Sequence, residues 1–196
     1  TNHLCQIERA MGSYHCRYRQ FPPAYTTDAE GRPLHSWRTL ILPYLDQKKL
    51  YKQIHLDEPW NSPHNRAVFE KNPLEIYQCP ASSSTIKGHT NYVMVIGDNC
   101  VSDGPTACGF DDLVNGTSHT IHVVETLQPI HWYQPLDVDL ESVLQPESSP
   151  LGSNHDDLLN VIFCDLHPSY IEKDFDRDVL RALLEGRVKN EKSHRR

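Results

Sequence analysis

An α+β fold with a largely antiparallel sheet is what this 196-residue sequence predicts. Three observations point to it. Helical periodicity runs to about residue 73, short β-branched and aromatic runs replace it, and one helical pattern closes the chain. Hydrophobic residues make up 38% and charged residues 23%, which is enough apolar material for a core. Fourteen prolines against nine glycines indicate many short elements joined by rigid turns.

Taken in order, residues 2–19 place Leu4, Ile7, Met11, Tyr14 and Tyr18 three or four apart, the stripe of an amphipathic helix. The segment "QFPPAY" ends it, because a residue before proline is pushed out of the α region. After "DAEGRP", Ser36 is a candidate N-cap for a helix with the stripe Leu40, Ile41, Tyr44, Leu45 and Leu50, which Pro43 kinks or divides. Ser62 followed by Pro63 repeats the start signal. The runs "LEIYQC", "TNYVMVIG", "SHTIHVVE" and "LLNVIFCD" read as strands, with Asp165 opening a hairpin into "SYIE". "DFDRDVLRALLEGR" returns to helix, capped by an aspartate and closed by Gly186. This divides the chain into an N-terminal helix over 1–20, an α+β head over 21–186 and a flexible basic tail over 187–196.

A formal charge of −7, with no basic face before the tail, argues against nucleic acid as a partner. No apolar run reaches the ~18–20 residues that span a bilayer. The chain opens without methionine or signal peptide, directly into a helical pattern, which predicts a mature form with a segment missing upstream. Six cysteines without a CxxC pair favour an oxidising compartment. Cys5 and Cys16 cannot pair: on one helix they stand roughly 16 Å apart at ~1.5 Å per residue. Cys100 and Cys108 bracket "CVSDGPTAC" and are the disulfide candidate, the alternative being six free thiols.

Twelve histidines invite a metal, but no HExxH and no zinc-finger spacing occurs, and no metal or cofactor is expected. In a strand, His119 and His122 face opposite ways, and the turn "DLHP" spoils any alternation between Asp165 and His167. His155 and Asp165 bracket a strand, of which residues 158–165 alone span roughly 23 Å at ~3.3 Å each, so one ion cannot join them. They frame the strand, and Asp165→Ala is expected to lower thermal stability without abolishing binding. "SSS" at Ser82–Ser84 lacks a nucleophile elbow, and the pairs Asp111-Asp112 and Asp156-Asp157 read as solvated turn caps. Trp37, Trp60 and Trp132 are a candidate ligand groove, against the plainer reading that they pack helices on the sheet. Glu125 ends an apolar strand and needs a partner, for which Arg38 is the candidate.

The segments "LCQIERAMGSYHCRYRQFPPAY", "GRPLHSWRTLILPYLDQKKLY", "DEPWNSPHNR", "YQCP", "NGTSHTIHVVE" and "NHDDLLNVIFCDL" together resemble, over nearly the whole chain, a planctomycete family of pilin-like proteins. That family is named for a C-terminal motif of His, nine residues and Asp-Gly, and once carried a solute-binding label. His155 and Asp165 match the motif, and Trp37, Arg38, Trp60 and Glu125 match family positions; Leu166 replaces the glycine, and His119 stands where the family has Asn. Since leucine does not suit positive φ, a longer, remade turn is expected there.

The resemblance implies a pseudopilin-like fold, a long N-terminal helix on an antiparallel sheet with inserted helices. Residues 1–20 would be the soluble half of that helix, beyond a prepilin leader and an apolar segment. It implies an extracytoplasmic protein of the cell envelope or surface that assembles with itself or with other pilin-like subunits, touching membrane only through the missing segment. A structural role without catalysis is the leading expectation. The alternative is a glycan- or peptide-binding module on the tryptophan groove. A metal-dependent hydrolase would require three His or Asp side chains to converge on one point.

Overall fold

The structure is a computed structural model that describes residues 2–82, 86–145 and 147–187. Apart from Arg187 the predicted tail lies outside those residues, as do Ser83 and Ser84. The chain is α+β. Its helices are α1 (Asn2–Tyr18), α2 (Trp37–Leu40), α3 (Lys48–Tyr51), α4 (Pro63–Glu70), α5 (Leu140–Val143) and α6 (Arg177–Leu184). Strands β1 (Tyr25–Thr27) and β2 (Pro33–Ser36) form a small hairpin. The remaining strands, β3 (His89–Ile96), β4 (Ile121–His131), β5 (Val138–Asp139), β6 (Leu158–Phe163) and β7 (Pro168–Glu172), make one sheet in the order β5-β3-β4-β6-β7. All pairings are antiparallel except the edge pair β3 with β5.

Period-two alternation gives the sheet two apolar faces. Tyr92, Met94, Val123 and Ile162 meet Leu4, Ile7, Ala10 and Met11 of α1, joined by the aromatic side chains of the inserted helices. Val93, Val95, Val124 and Val161 meet Leu140, Val143, Leu180 and Leu184 of α5 and α6. Each fully buried aliphatic side chain contributes roughly 1.5–3 kcal/mol, so the stripe of α1 alone fixes that helix on the sheet. Among the described residues no helix is long and apolar enough to cross a membrane.

Local signals act as the sequence leads one to expect at most boundaries. Ser36 Oγ accepts the Arg38 N–H at the start of α2, and Ser62 Oγ accepts the Asn65 N–H at the start of α4. Pro43 divides the second helical segment into α2, a 3-10 turn over Leu42–Tyr44, and α3. Helix α1 ends at Arg19, whose φ of 61° and N–H bond to the His15 carbonyl (2.7 Å) make a left-handed cap before the prolines.

Three expectations are corrected. "LEIYQC" is not a strand: Glu75–Tyr77 form a 3-10 turn, and the Cys79 N–H is satisfied by the Asn91 side chain rather than by a neighbouring strand. His119 ends a 3-10 turn over Thr117–His119, so only His122 lies in β4. The turn at Leu166 is longer than two residues, as expected, with Cys164, Asp165 and Leu166 between the hydrogen-bonded Phe163 and His167, but Leu166 does not avoid positive φ: it adopts φ 66°. A β-carbon on Gly12 would stand 2.9 Å from Leu166 Cδ1, so the leucine packs onto α1 where α1 lacks a side chain. That contact offsets the ~1–2 kcal/mol cost of a left-handed residue.

Candidate functional site

Strand β4 pairs regularly with β3 up to Glu125, opposite Tyr92. The next pair is Thr90 with Ile130, so residues 126–129 of β4 bulge opposite Asn91 alone. Asn91 ties down both sides of this bulge: its amide donates to the Thr126 carbonyl (3.1 Å), and its side-chain oxygen accepts the Cys79 N–H (2.8 Å). The Thr126 hydroxyl donates to the Pro150 carbonyl (2.6 Å), and the Gly152 N–H donates to the Glu125 carbonyl (3.2 Å), which lays the segment before β6 against the bulge. Lys173 holds that segment from the far side, donating to the carbonyls of Ser153, His155 and Asp156.

These contacts converge three side chains that lie 46 and 30 residues apart in sequence. One donor atom from each of Cys79, Glu125 and His155 lies within 4.8 Å of the others, and Cys79 Sγ is 3.4 Å from His155 Nε2. Cys79 and Glu125 are buried and His155 half-buried. Glu125 Oε2 accepts hydrogen bonds from Ser153 Oγ and Asn160 Nδ2, both at 2.8 Å, whereas Oε1 is buried without a nitrogen or oxygen donor. Among the described residues no cation pairs with this carboxylate. A cavity of about 350 Å³ opens over the cluster, lined by Leu4, Cys79, Tyr92, His155, Asn160 and Tyr170.

Burial, and next a hydrogen bond to the Glu125 carboxylate, push the Cys79 thiol up to about 11. A nucleophilic cysteine needs the opposite shift, toward thiolate at neutral pH. Thiol, carboxylate and imidazole facing one point are instead the donor types of a transition-metal site.

The Arg38–Glu125 pair expected from sequence does not form. Arg38 pairs with Asp137 (2.7 Å), both side chains being fully buried. The reason is sheet order: Asp137 leads into β5 on one side of β3, whereas Glu125 belongs to β4 on the other. Arg38 further donates to the Tyr92 carbonyl (3.0 Å) and Ser36 Oγ (2.7 Å), and Trp37 Nε1 and the Met94 N–H converge on the same Asp137 oxygen. Trp37 and Trp132 are fully buried and line no groove. Both pack at Tyr77, and Trp132 also meets Phe69 edge-on; only Trp60 is half-exposed, with its ring 5.9 Å from Tyr133. Cys100 and Cys108 are not bonded, all six cysteines being free. The loop between them does turn tightly, with Asp103 bridging Thr106, but the two sulfurs enter separate apolar clusters.

His155 and Asp165 stand beyond opposite ends of β6, and only His155 belongs to the cluster. Asp165 instead meets His167 across the turn, Oδ1 to Nδ1 at 2.7 Å, on the surface. Cys79 is the residue that sequence reasoning missed. Its one visible signal is Glu125, a carboxylate at the end of an apolar strand with no neighbour in sequence to neutralise it.

No curated protein and no solved structure gives a significant match. A family model does: SBP_bac_10, described as a protein of unknown function (DUF1559), matches residues 1–103, from α1 through β3 and the loop after it. With 103 of 196 residues matched, the chain belongs to the DUF1559 family of proteins of unknown function.

Proposed function

We propose that this chain is the globular part of an exported, pilin-like structural protein of the cell envelope or surface, without catalytic activity. The observation that carries the reading is α1, which lies on an antiparallel sheet through Leu4, Ile7, Ala10 and Met11, the helix-on-sheet arrangement of pilin-type subunits. The resemblance to planctomycete pilin-like proteins along nearly the whole chain agrees with it. The alternative of a groove lined by all three tryptophans is less favoured, since Trp37 and Trp132 are spent on the core and only Trp60 of the three reaches a cavity, beside Asp28 and Arg32. A thiol pushed up to about 11 is held as the protonated form at neutral pH, which weighs against cysteine catalysis.

Fractionation of the source cells, with immunogold labelling of intact cells, tests this. Labelling at the envelope or surface is expected, together with sedimentation alongside other pilin-like subunits. A uniformly cytosolic pool would overturn the reading.

A further inference from the structure

We propose that Cys79, Glu125 and His155 bind a thiophilic divalent cation of the zinc class, with its remaining coordination position open to the cavity beneath Tyr170. This inference stands independently of the pilin-like reading. Three observations carry it.

The first is ligand geometry. Sulfur and nitrogen bound tetrahedrally to zinc at ~2.3 and ~2.05 Å are separated by about 3.6 Å. Cys79 Sγ and His155 Nε2 already stand 3.4 Å apart, with a Glu125 oxygen within 4.8 Å of both. Binding requires the carboxylate oxygen to close to roughly 3.5 Å of both, shortening each distance by at most about 1.3 Å.

The second is charge. Glu125 is fully buried; Ser153 and Asn160 hold its Oε2, and its Oε1 has no nitrogen or oxygen donor, the weakly donating Cys79 thiol being the further group beside the carboxylate. A protein retains such an oxygen at a cost unless something satisfies it. A dication bound by one carboxylate and one thiolate is neutral as a unit, so the burial that penalises Glu125 alone favours the complex. Binding displaces the Cys79 proton to solvent, so the cation exchanges for one proton at sulfur.

The third is support. The metal-facing groups sit on backbone fixed by the β4 bulge, the Asn91 bridge and the Lys173 clasp, and the Ser153 hydroxyl both accepts the His155 N–H (3.1 Å) and orients Glu125. An outer layer of this kind is what holds ligands in register. The cavity supplies an entry path and room for a water or a small anionic ligand on the open position. The cation would clamp the loop after the 3-10 turn, strand β4 and the segment before β6 against the N-terminal end of α1.

The test uses the full chain freed of metal by chelation, titrated with Zn²⁺ by calorimetry and with Co²⁺ by absorption spectroscopy. One ion per chain is expected, with a thiolate-to-cobalt charge-transfer band. Cys79→Ser should remove that band, and Cys79→Ser and His155→Ala should each weaken binding by more than about 100-fold, beyond the 10–100-fold that loss of an outer-layer partner costs. His64→Ala is the control, because His55 and His64 stack on the surface at 3.7 Å and offer a competing site. Glu125→Gln separates ligation from folding: the apo variant should melt no lower than the parent, since a lone buried charge is gone, yet lose the zinc-induced rise in Tm. Absence of binding, binding that disappears with His64 alone, or a Glu125→Gln variant that melts lower but binds zinc unchanged would each overturn the proposal.

Discussion

Asp137 Oδ1 accepts from the Arg38 guanidinium, the Trp37 indole and the Met94 N–H at once, so one buried carboxylate joins α2, β3 and the approach to β5. Asp137→Ala leaves Arg38 buried without its counter-charge and is expected to cost about 3–5 kcal/mol in urea unfolding. His122 is buried with neither ring nitrogen partnered, and burial lowers its pKa from 6.5 to about 3. Between those values the unfolded chain carries a proton that the folded chain refuses. The stability from neutral His122 is therefore full above pH 6.5 and falls, as pH drops toward 3, by about 1.4 kcal/mol per unit. Replacing it in His122→Leu should flatten the acid limb of a stability–pH curve by one proton. At Leu166, Gly would relieve the positive φ and Ala would not, while both remove the contact with α1. Leu166→Ala should thus melt lower than Leu166→Gly, with the gap near 1 kcal/mol. That Glu125 is a buried polar residue was legible from its place on an apolar strand. Its neighbours were not, because a side chain's partner depends on which strands are adjacent, and Arg38 met the carboxylate on its own side of β3.

Elements were most legible where chemistry is local. Ser36, Ser62 and the Pro43 interruption each act within four residues, and the helices they set appear where expected. Helix α6 follows the same rule: Asp176 accepts the N–H groups of Asp178 and Val179, and Leu180 and Leu184 carry its buried face. Asp176→Ala should destabilise by about 1 kcal/mol and speed amide exchange in α6 ahead of the sheet. The failures occurred where tertiary partners override propensity. "LEIYQC" has β-forming residues, yet Tyr77 is drawn inward to donate to the Arg38 carbonyl (2.6 Å), and the run folds as a turn. The bulge after Glu125 left no trace in the alternation pattern, though it builds the site.

At the scale of the whole molecule, the class α+β and the antiparallel β6–β7 hairpin were readable from element order. Strand order was not, since β5 joins an edge in parallel after an excursion that leaves no periodic signature. The Cys79–Glu125–His155 cluster is a product of that topology and has no spacing motif to betray it. The pilin-like reading also lives at this scale, for it concerns what α1 is joined to. The most direct measurement is the coding sequence immediately upstream of Thr1. A short basic leader, a prepilin-type cleavage point and ~20 apolar residues continuous with α1 are the predicted result. An ordinary cytosolic start codon directly before α1 would contradict the account.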